Sequence, residues 1–340
     1  MKRIFITLLL VAGVVASVPA QLKLNGAGAT FPYVIYSKWF DVYHKQTNIQ
    51  FNYQSIGSGG GIKQVIEGTV DFGASDGPMS PEQLKEASTK QGTEVLHIPM
   101  ILGAVVVTYN LPSVGADLLL NQDVVAGIFL GEITKWNDPK IAATNPGRPL
   151  PNQTIIVAHR SDGSGTTYIF TDYLTKVSKT WEAKAGRGTS VNWPIGLGGK
   201  GNEGVSGLVK QTPGAIGYVE LAYAVQNNLP YASVKNKAGE FVKPTLESVT
   251  AAAAGASKNM PADLRVSITD PDGKESYPIS GFTWLLVYQI MKDKQKGEAL
   301  VKFLRWAMGE GQSYAKDLLY APLPKEVIKL CESKIALIKY

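Results

Sequence analysis

Short apolar or alternating runs recur along the chain, and several lead through small or polar residues into a helical pattern. Leu22 and Leu24 open a strand, Gly26-Ala27-Gly28-Ala29 reads as a tight turn, and Pro32 suits the first turn of a helix. That helix carries Val34, Ile35, Trp39, Phe40 and Tyr43 on one face. Residues 49–55 alternate as a strand does, Ile56-Gly57-Ser58-Gly59-Gly60-Gly61 forms the next turn, and residues 62–67 form a helix with Ile62, Val65 and Ile66 together. Residues 70–75 form a short strand ending at Asp76-Gly77-Pro78. Residues 95–99 and 103–109 read as two apolar strands, and 124–129 and 215–219 continue the pattern. Residues 154–158 form a buried strand, Arg160-Ser161-Asp162-Gly163-Ser164-Gly165-Thr166-Thr167 a turn, and Tyr168 onward a helix. Residues 283–288 form another buried strand, and 298–308 a helix with Leu300, Val301, Leu304 and Ala307 on one face. Strands alternating with helices predict α/β layers. There is no repeat of fixed period and no long linker, so any domain division is discontinuous, with the chain crossing between lobes.

The turn at 160–167 carries the richest chemistry. A helix start leaves backbone N–H groups without intrahelical partners and bears the positive end of the macrodipole. Gly165 admits close approach to the backbone, the Ser164 and Thr166 hydroxyls can donate, and Arg160 offers a rigid fork of N–H groups. These parts suit a tetrahedral anion. An ordinary N-cap formed by Ser164 or Thr166 explains the same segment. Asp76, just past a strand end, lies where α/β ligand sites gather, but it also suits a turn aspartate bonded to its own backbone.

Composition changes the picture in one respect, the compartment. The 340 residues are enough for two domains, and the 35 glycines and 19 prolines are dispersed rather than clustered in tracts. Lys2 and Arg3 precede a mostly apolar stretch, residues 4–17, and Val18-Pro19-Ala20 supplies small residues before a cut after Ala20. Residues 1–20 therefore read as a secretory signal peptide, too short for a comfortable membrane span. Cys331 is the only cysteine, so no lipid-anchor cysteine stands at the cut and no internal disulfide can form. Loss of Lys2 and Arg3 lowers the formal net charge from +6 to +4, which does not argue for nucleic acid.

Enzymatic signatures are missing. His44, His97 and His159 are scattered without metal spacing, and His159 at a strand end reads as structural. Neither Ser58 nor Ser164 sits in a nucleophile elbow, and Gly199-Lys200-Gly201 lacks the hydroxyl of a nucleotide-hydrolase phosphate loop. Gly57-Ser58-Gly59-Gly60-Gly61-Ile62 departs from the dinucleotide fingerprint at its last position. The calcium-like start at Asp270-Pro271-Asp272-Gly273 reaches Gly281 where Glu is needed. No metal or cofactor is expected.

Taken as a set, Gly26-Ala27-Gly28-Ala29-Thr30-Phe31-Pro32, Ile56-Gly57-Ser58-Gly59-Gly60, Val70-Asp71-Phe72-Gly73-Ala74-Ser75-Asp76 and Arg160-Ser161-Asp162-Gly163-Ser164-Gly165-Thr166 resemble the periplasmic phosphate-binding proteins of Pst-type ABC importers. Gly214-Ala215-Ile216-Gly217-Tyr218-Val219 and Tyr320-Ala321-Pro322-Leu323-Pro324 extend the likeness over nearly the whole mature chain. The resemblance implies a two-lobed α/β periplasmic binding protein fold of type II, its discontinuous domains joined by hinge crossings around a ligand cleft. The division expected is a signal peptide at 1–20, lobe I at 21–102 plus 282–340, and lobe II at 103–281, with crossings near 101–104 and 277–282. It implies phosphate held by the backbone at Thr30 and Phe31, by Ser58, Asp76, Arg160, Ser164, the Gly165 backbone and Thr166, with Asp162 orienting Arg160. It further implies a periplasmic monomer, without lipid anchor, that docks on a membrane-embedded ABC phosphate permease and does not bind nucleic acid. The competing class is a secreted phosphate-ester hydrolase using the same anion cradle.

Within this set Asp76 is the odd residue, an acid facing an anion. It fits only a ligand that keeps a proton to donate. Phosphate does so near neutral pH and sulfate does not, so a carboxylate here would select between them.

Overall fold

The computed structural model describes residues 21–257 and 260–340, so the expected signal peptide lies outside the described residues. Among the described residues there are eleven strands: β1 Lys23–Gly28, β2 Gln50–Ser55, β3 Phe72–Ser75, β4 Val95–Tyr109, β5 Leu119–Leu120, β6 Ile156–Arg160, β7 Leu197–Gly199, β8 Ala215–Glu220, β9 Ser233–Lys235, β10 Phe241–Val242 and β11 Ser280–Tyr288. The α-helices are α1 Tyr33–Thr47, α2 Ser58–Glu67, α3 Pro81–Gln91, α4 Gln122–Phe129, α5 Pro139–Ala142, α6 Gly165–Val177, α7 Lys179–Lys184, α8 Gly201–Gln211, α9 Leu221–Gln226, α10 Leu246–Ser257, α11 Lys294–Met308 and α12 Lys325–Ile335.

Eight strands form one sheet in the order β2-β1-β3-β11-β4-β8-β6-β7, and β10-β9-β5 form a small second sheet. β1 runs parallel to β2 and β3, and β6 runs parallel to β7 and β8. The two parallel groups are joined through the antiparallel strands β11 and β4. β4 is the shared element: Val95–Ala104 pair with β11, whereas Val105–Tyr109 pair with β8. Each side has its own aromatic core. Phe51 and Phe303 lie 4.5 Å apart on one side, and Phe170 stacks on Tyr218 at 4.4 Å on the other.

Four expectations need correction. The two strands at 95–99 and 103–109 are one fifteen-residue strand, buried throughout. Pro99 cannot donate to the ladder, and the register shift opposite it, between Thr283 and Trp284, lets the strand continue as a bulge. Gly26-Ala27-Gly28 is not a turn but the end of β1, paired on both sides by β2 and β3. Helix α2 starts at Ser58 rather than Ile62, so three glycines lie inside it. A Cβ at Gly61 would come within 2.6 Å of Ala27 O, so its small size sets helix-on-strand packing. Finally, β6 reaches Arg160 and α6 begins at Gly165, which shortens the turn to residues 161–164.

The carboxyl ends of β1 and β3 on one side, and of β6 and β7 on the other, point toward each other at the middle of β4, where its pairing passes from β11 to β8. In such sheets this is where ligands bind.

Candidate functional site

Arg160 ends β6 with its guanidinium buried. Nε donates to Asp162 Oδ1 at 2.8 Å and Nη2 to Asp162 Oδ2 at 2.6 Å, a bidentate pair that fixes the plane of the fork. Nη1 donates to Thr166 Oγ1 at 3.3 Å. Burial pushes the Asp162 carboxyl up, but the Arg160 bonds and charge, with the Gly201 N–H at 3.0 Å, hold it below the usual carboxylate range. Tyr218 supports the strand end, its hydroxyl accepting from Arg160 N and meeting Thr167 Oγ1.

Ser164 is the N-cap of α6, accepting from Thr167 N at 3.0 Å. The cap and site readings of this turn are therefore compatible: Ser164 caps, and Thr166 is left to other work.

The turns of the two sides touch. Ser58 Oγ accepts from Gly165 N at 2.9 Å and from Asp76 N at 3.2 Å, and Gly59 N donates to Gly163 O at 2.8 Å. The Gly165 N–H, expected to face a ligand, is bonded to Ser58 here. A Cβ at Gly165 would collide with the side chains of Asp76 and Ser58, so a larger residue there would have to displace them. Thr30 O accepts from Tyr223 OH, and Phe31 O from Tyr320 OH, both at 2.7 Å. Thr30, Ser58, Asp76, Arg160, Ser164 and Thr166 are all buried.

Asp76 is the least satisfied of them. Oδ1 accepts from Thr283 Oγ1 at 2.7 Å, while Oδ2 is buried without any hydrogen-bond partner. Burial pushes its pKa up to about 7; the Thr283 hydroxyl, the Arg160 charge and the Ser58 hydroxyl pull the other way without undoing this. A raised carboxyl pKa means that the folded state holds the proton more tightly than the unfolded chain. Stability from neutral Asp76 is thus full below about 4 and is lost as pH rises through about 7. Asp76→Asn should therefore flatten the stability–pH profile between these limits, with the ligand-free variant gaining on the order of 4 kcal/mol at most over the parent at pH 8. Denaturant melts of both proteins from pH 4 to 8 test this; parallel profiles would contradict it.

The structure thus gathers Thr30, Ser58, Asp76, Arg160, Asp162, Ser164, Gly165 and Thr166 into one buried network, with the Phe31 backbone beside it. Sequence reading missed Thr283, Tyr218 and Asn202. Asn202, at the start of α8, contacts both Thr30 and Thr166. Its signal in the sequence is the glycine turn Gly199-Lys200-Gly201 just before a helix. His159 stacks on Trp193 at 4.8 Å, as a structural histidine does. A cavity of about 220 Å³ adjoins the site, lined by Asp76, Tyr168, Arg187 and Phe282 among others. A larger cleft of about 690 Å³, lined by Tyr109 and Tyr231 among others, shares no residue with the site.

Comparison with known proteins gives a consistent pattern. A family model described as a PBP superfamily domain matches residues 13–310. The phosphate-binding protein PstS of Pasteurella multocida is 46% identical over 334 residues, covering 98% of this chain and 95% of the relative. The phosphate-binding protein PstS of Methanocaldococcus jannaschii is 40% identical, covering 94% and 87%. Among solved structures, a high-affinity periplasmic phosphate-binding protein (PfluDING) bound with phosphate superposes with a TM-score of 0.72 at 24% identity, covering 92% of this chain and 93% of that one. A phosphate-binding protein from Stenotrophomonas maltophilia gives 0.69 at 22%, with the same coverage. The last two likenesses speak for the two-lobed fold.

Proposed function

We propose, from the premise that this chain belongs to the PstS-type phosphate-binding proteins of the PBP superfamily, that it captures inorganic phosphate between two lobes and delivers it to a membrane-embedded ABC permease. The relatives are named for binding phosphate, not for cleaving its esters, and the hydrolase alternative is set aside.

The observation that carries the ligand assignment is the buried, unpartnered Asp76 Oδ2 among hydroxyl and guanidinium donors. A buried acceptor without a donor costs free energy, and a protonated oxyanion supplies the donor. The remaining oxygens of phosphate then find Arg160, Ser58, Ser164, Thr166 and the helix-mouth amides of Thr30 and Phe31, with Asp162 holding Arg160 in plane; the Gly165 N–H joins them by exchanging its bond to Ser58 Oγ for the ligand. Charge-assisted hydrogen bonds worth roughly 1.5–3 kcal/mol each reach the ~8 kcal/mol of micromolar binding with few members, even after ordering costs. Calorimetric titration of protein stripped of bound phosphate should give one tight site per chain. Absence of saturable binding would overturn the reading.

Lobe I is assigned to 21–102 plus 282–340 and lobe II to 103–281, with the crossings in β4 and β11. Support comes from the bonds that join the two sides, Tyr223 OH to Thr30 O, Gly165 N to Ser58 Oγ and Gly59 N to Gly163 O. Such bonds are what a closed arrangement of the two lobes would make. A ligand held from both sides favours closure by its differential affinity. Small-angle scattering should show a smaller radius of gyration with phosphate than after its removal; superimposable curves would argue against hinge motion. The basic-then-apolar start of the chain supports export through a cleaved signal peptide to the periplasm, as a monomer until docking, with Ala20 as the last residue removed. N-terminal sequencing of the exported protein checks the cut.

A further inference from the structure

Asn202 contacts no residue through charge, yet it meets three parts of the network. Its Nδ2 donates to Thr30 Oγ1 at 2.8 Å and to Thr166 Oγ1 at 3.1 Å, and its backbone N donates to Thr30 Oγ1 at 3.3 Å. Its Oδ1 accepts from Glu220 N at 3.0 Å. The last bond fixes the amide. A backbone N–H can only donate, so the oxygen must face Glu220 and the nitrogen must face the two threonines.

The consequence lies in the direction of two protons. A hydroxyl oxygen accepts two hydrogen bonds and donates one. Thr30 Oγ1 receives two bonds, both from Asn202. Thr166 Oγ1 receives two, one from Asn202 and one from Arg160 Nη1. Both lone pairs of each oxygen are therefore filled, and the single proton of each hydroxyl must point elsewhere. Both oxygens lie buried against the same amide nitrogen at the mouths of α1 and α6, one from each side of the molecule.

We propose that Asn202 is a positioning residue for anion binding: one carboxamide, aligned by the Glu220 N–H, polarises the Thr30 and Thr166 hydroxyls so that both donate to a single tetrahedral oxyanion. This rests on the phosphate reading above. It adds the Thr30 hydroxyl to the groups offered to the ligand. It also gives a reason for donors to be present before the ligand arrives: hydroxyls that would otherwise rotate freely are oriented in advance, which lowers the ordering cost of binding.

A double-mutant cycle tests this, with inorganic phosphate as the probe. Asn202→Leu in the parent should weaken phosphate binding by roughly 10–100-fold, the scale of charge-assisted hydrogen bonds. In a Thr30→Val/Thr166→Val background the same change should cost at least about fivefold less, because no hydroxyl remains to orient. The shift in ligand-free melting temperature should be similar in both backgrounds, which separates loss of packing from loss of positioning. If Asn202→Leu does not fold, Asn202→Asp keeps the acceptor for Glu220 N–H and enters the same cycle; its added charge acts in both backgrounds and leaves the coupling readable. Equal fold-losses in the two backgrounds, or unchanged affinity in the parent, would overturn the proposal while leaving the phosphate reading intact. A parent protein that binds no phosphate would overturn both.

Discussion

Asp76→Asn is expected to collapse discrimination between phosphate and sulfate. At pH 8, above its pKa of about 7, Asp76 is mostly ionised, and its free Oδ2 can only accept. On the proposed reading, phosphate would meet it with a proton and sulfate with a bare oxygen. A site built around one such hydrogen bond rejects the analogue lacking it by roughly 10⁴–10⁵. The asparagine keeps the shape and can turn its amide nitrogen toward the ligand, so sulfate should gain measurable affinity while phosphate loses less than in Arg160→Ala. The pH dependence has a definite sign. As pH falls through about 7, Asp76 takes up a proton and becomes a possible donor, so sulfate binding by the parent should strengthen. Competition titrations at pH 6 and 8 check both statements. A phosphate-to-sulfate ratio unchanged by the substitution would mean that Asp76 serves only the turn before Pro78.

Arg160→Ala should produce the largest loss of phosphate affinity. Removing the guanidinium takes away a charge-assisted donor worth roughly 1.5–3 kcal/mol. It also leaves Asp162 without its bidentate partner beside the anion. Truncating one member of such a pair costs roughly 2–5 kcal/mol, much of it from the charge left behind. The double variant Arg160→Ala/Asp162→Asn separates the two contributions. It should recover part of the lost affinity, because the amide no longer repels phosphate, but not all of it. Calorimetry showing no loss in the single variant would remove Arg160 from the site; no recovery in the double would mean that Asp162 does not face the ligand.

The contrast between what could and could not be read from the chain has physical causes. The site-forming turns were legible because their chemistry is local: glycine, hydroxyl and arginine within a few residues of a helix start. Thr283 was not, because its contact with Asp76 joins neighbouring strands 207 residues apart in sequence and depends on the register of β11 against β3. Asn202 was hidden for a similar reason, its partners lying 172 and 36 residues away. The alternating α/β pattern is readable, but the continuity of β4 is not, because it depends on the β11 register shift opposite Pro99, which only the folded sheet shows. The glycines of β1 and α2 misled in the opposite direction. In sequence they read as turns, whereas they permit close packing inside regular elements. The choice of these residues as ligands rests on the resemblance, since a Ser-Gly helix mouth by itself is also an ordinary cap.

Co-crystallisation of the full mature chain with phosphate, at a resolution that shows individual oxygens, tests the central claim most directly. The account predicts one tetrahedral anion per chain, with one oxygen within hydrogen-bond distance of Asp76 Oδ2 and another on the Arg160 guanidinium, enclosed between the Ser58 and Gly165 turns. An anion bound elsewhere, or one whose oxygens leave Asp76 Oδ2 without a partner, would contradict it.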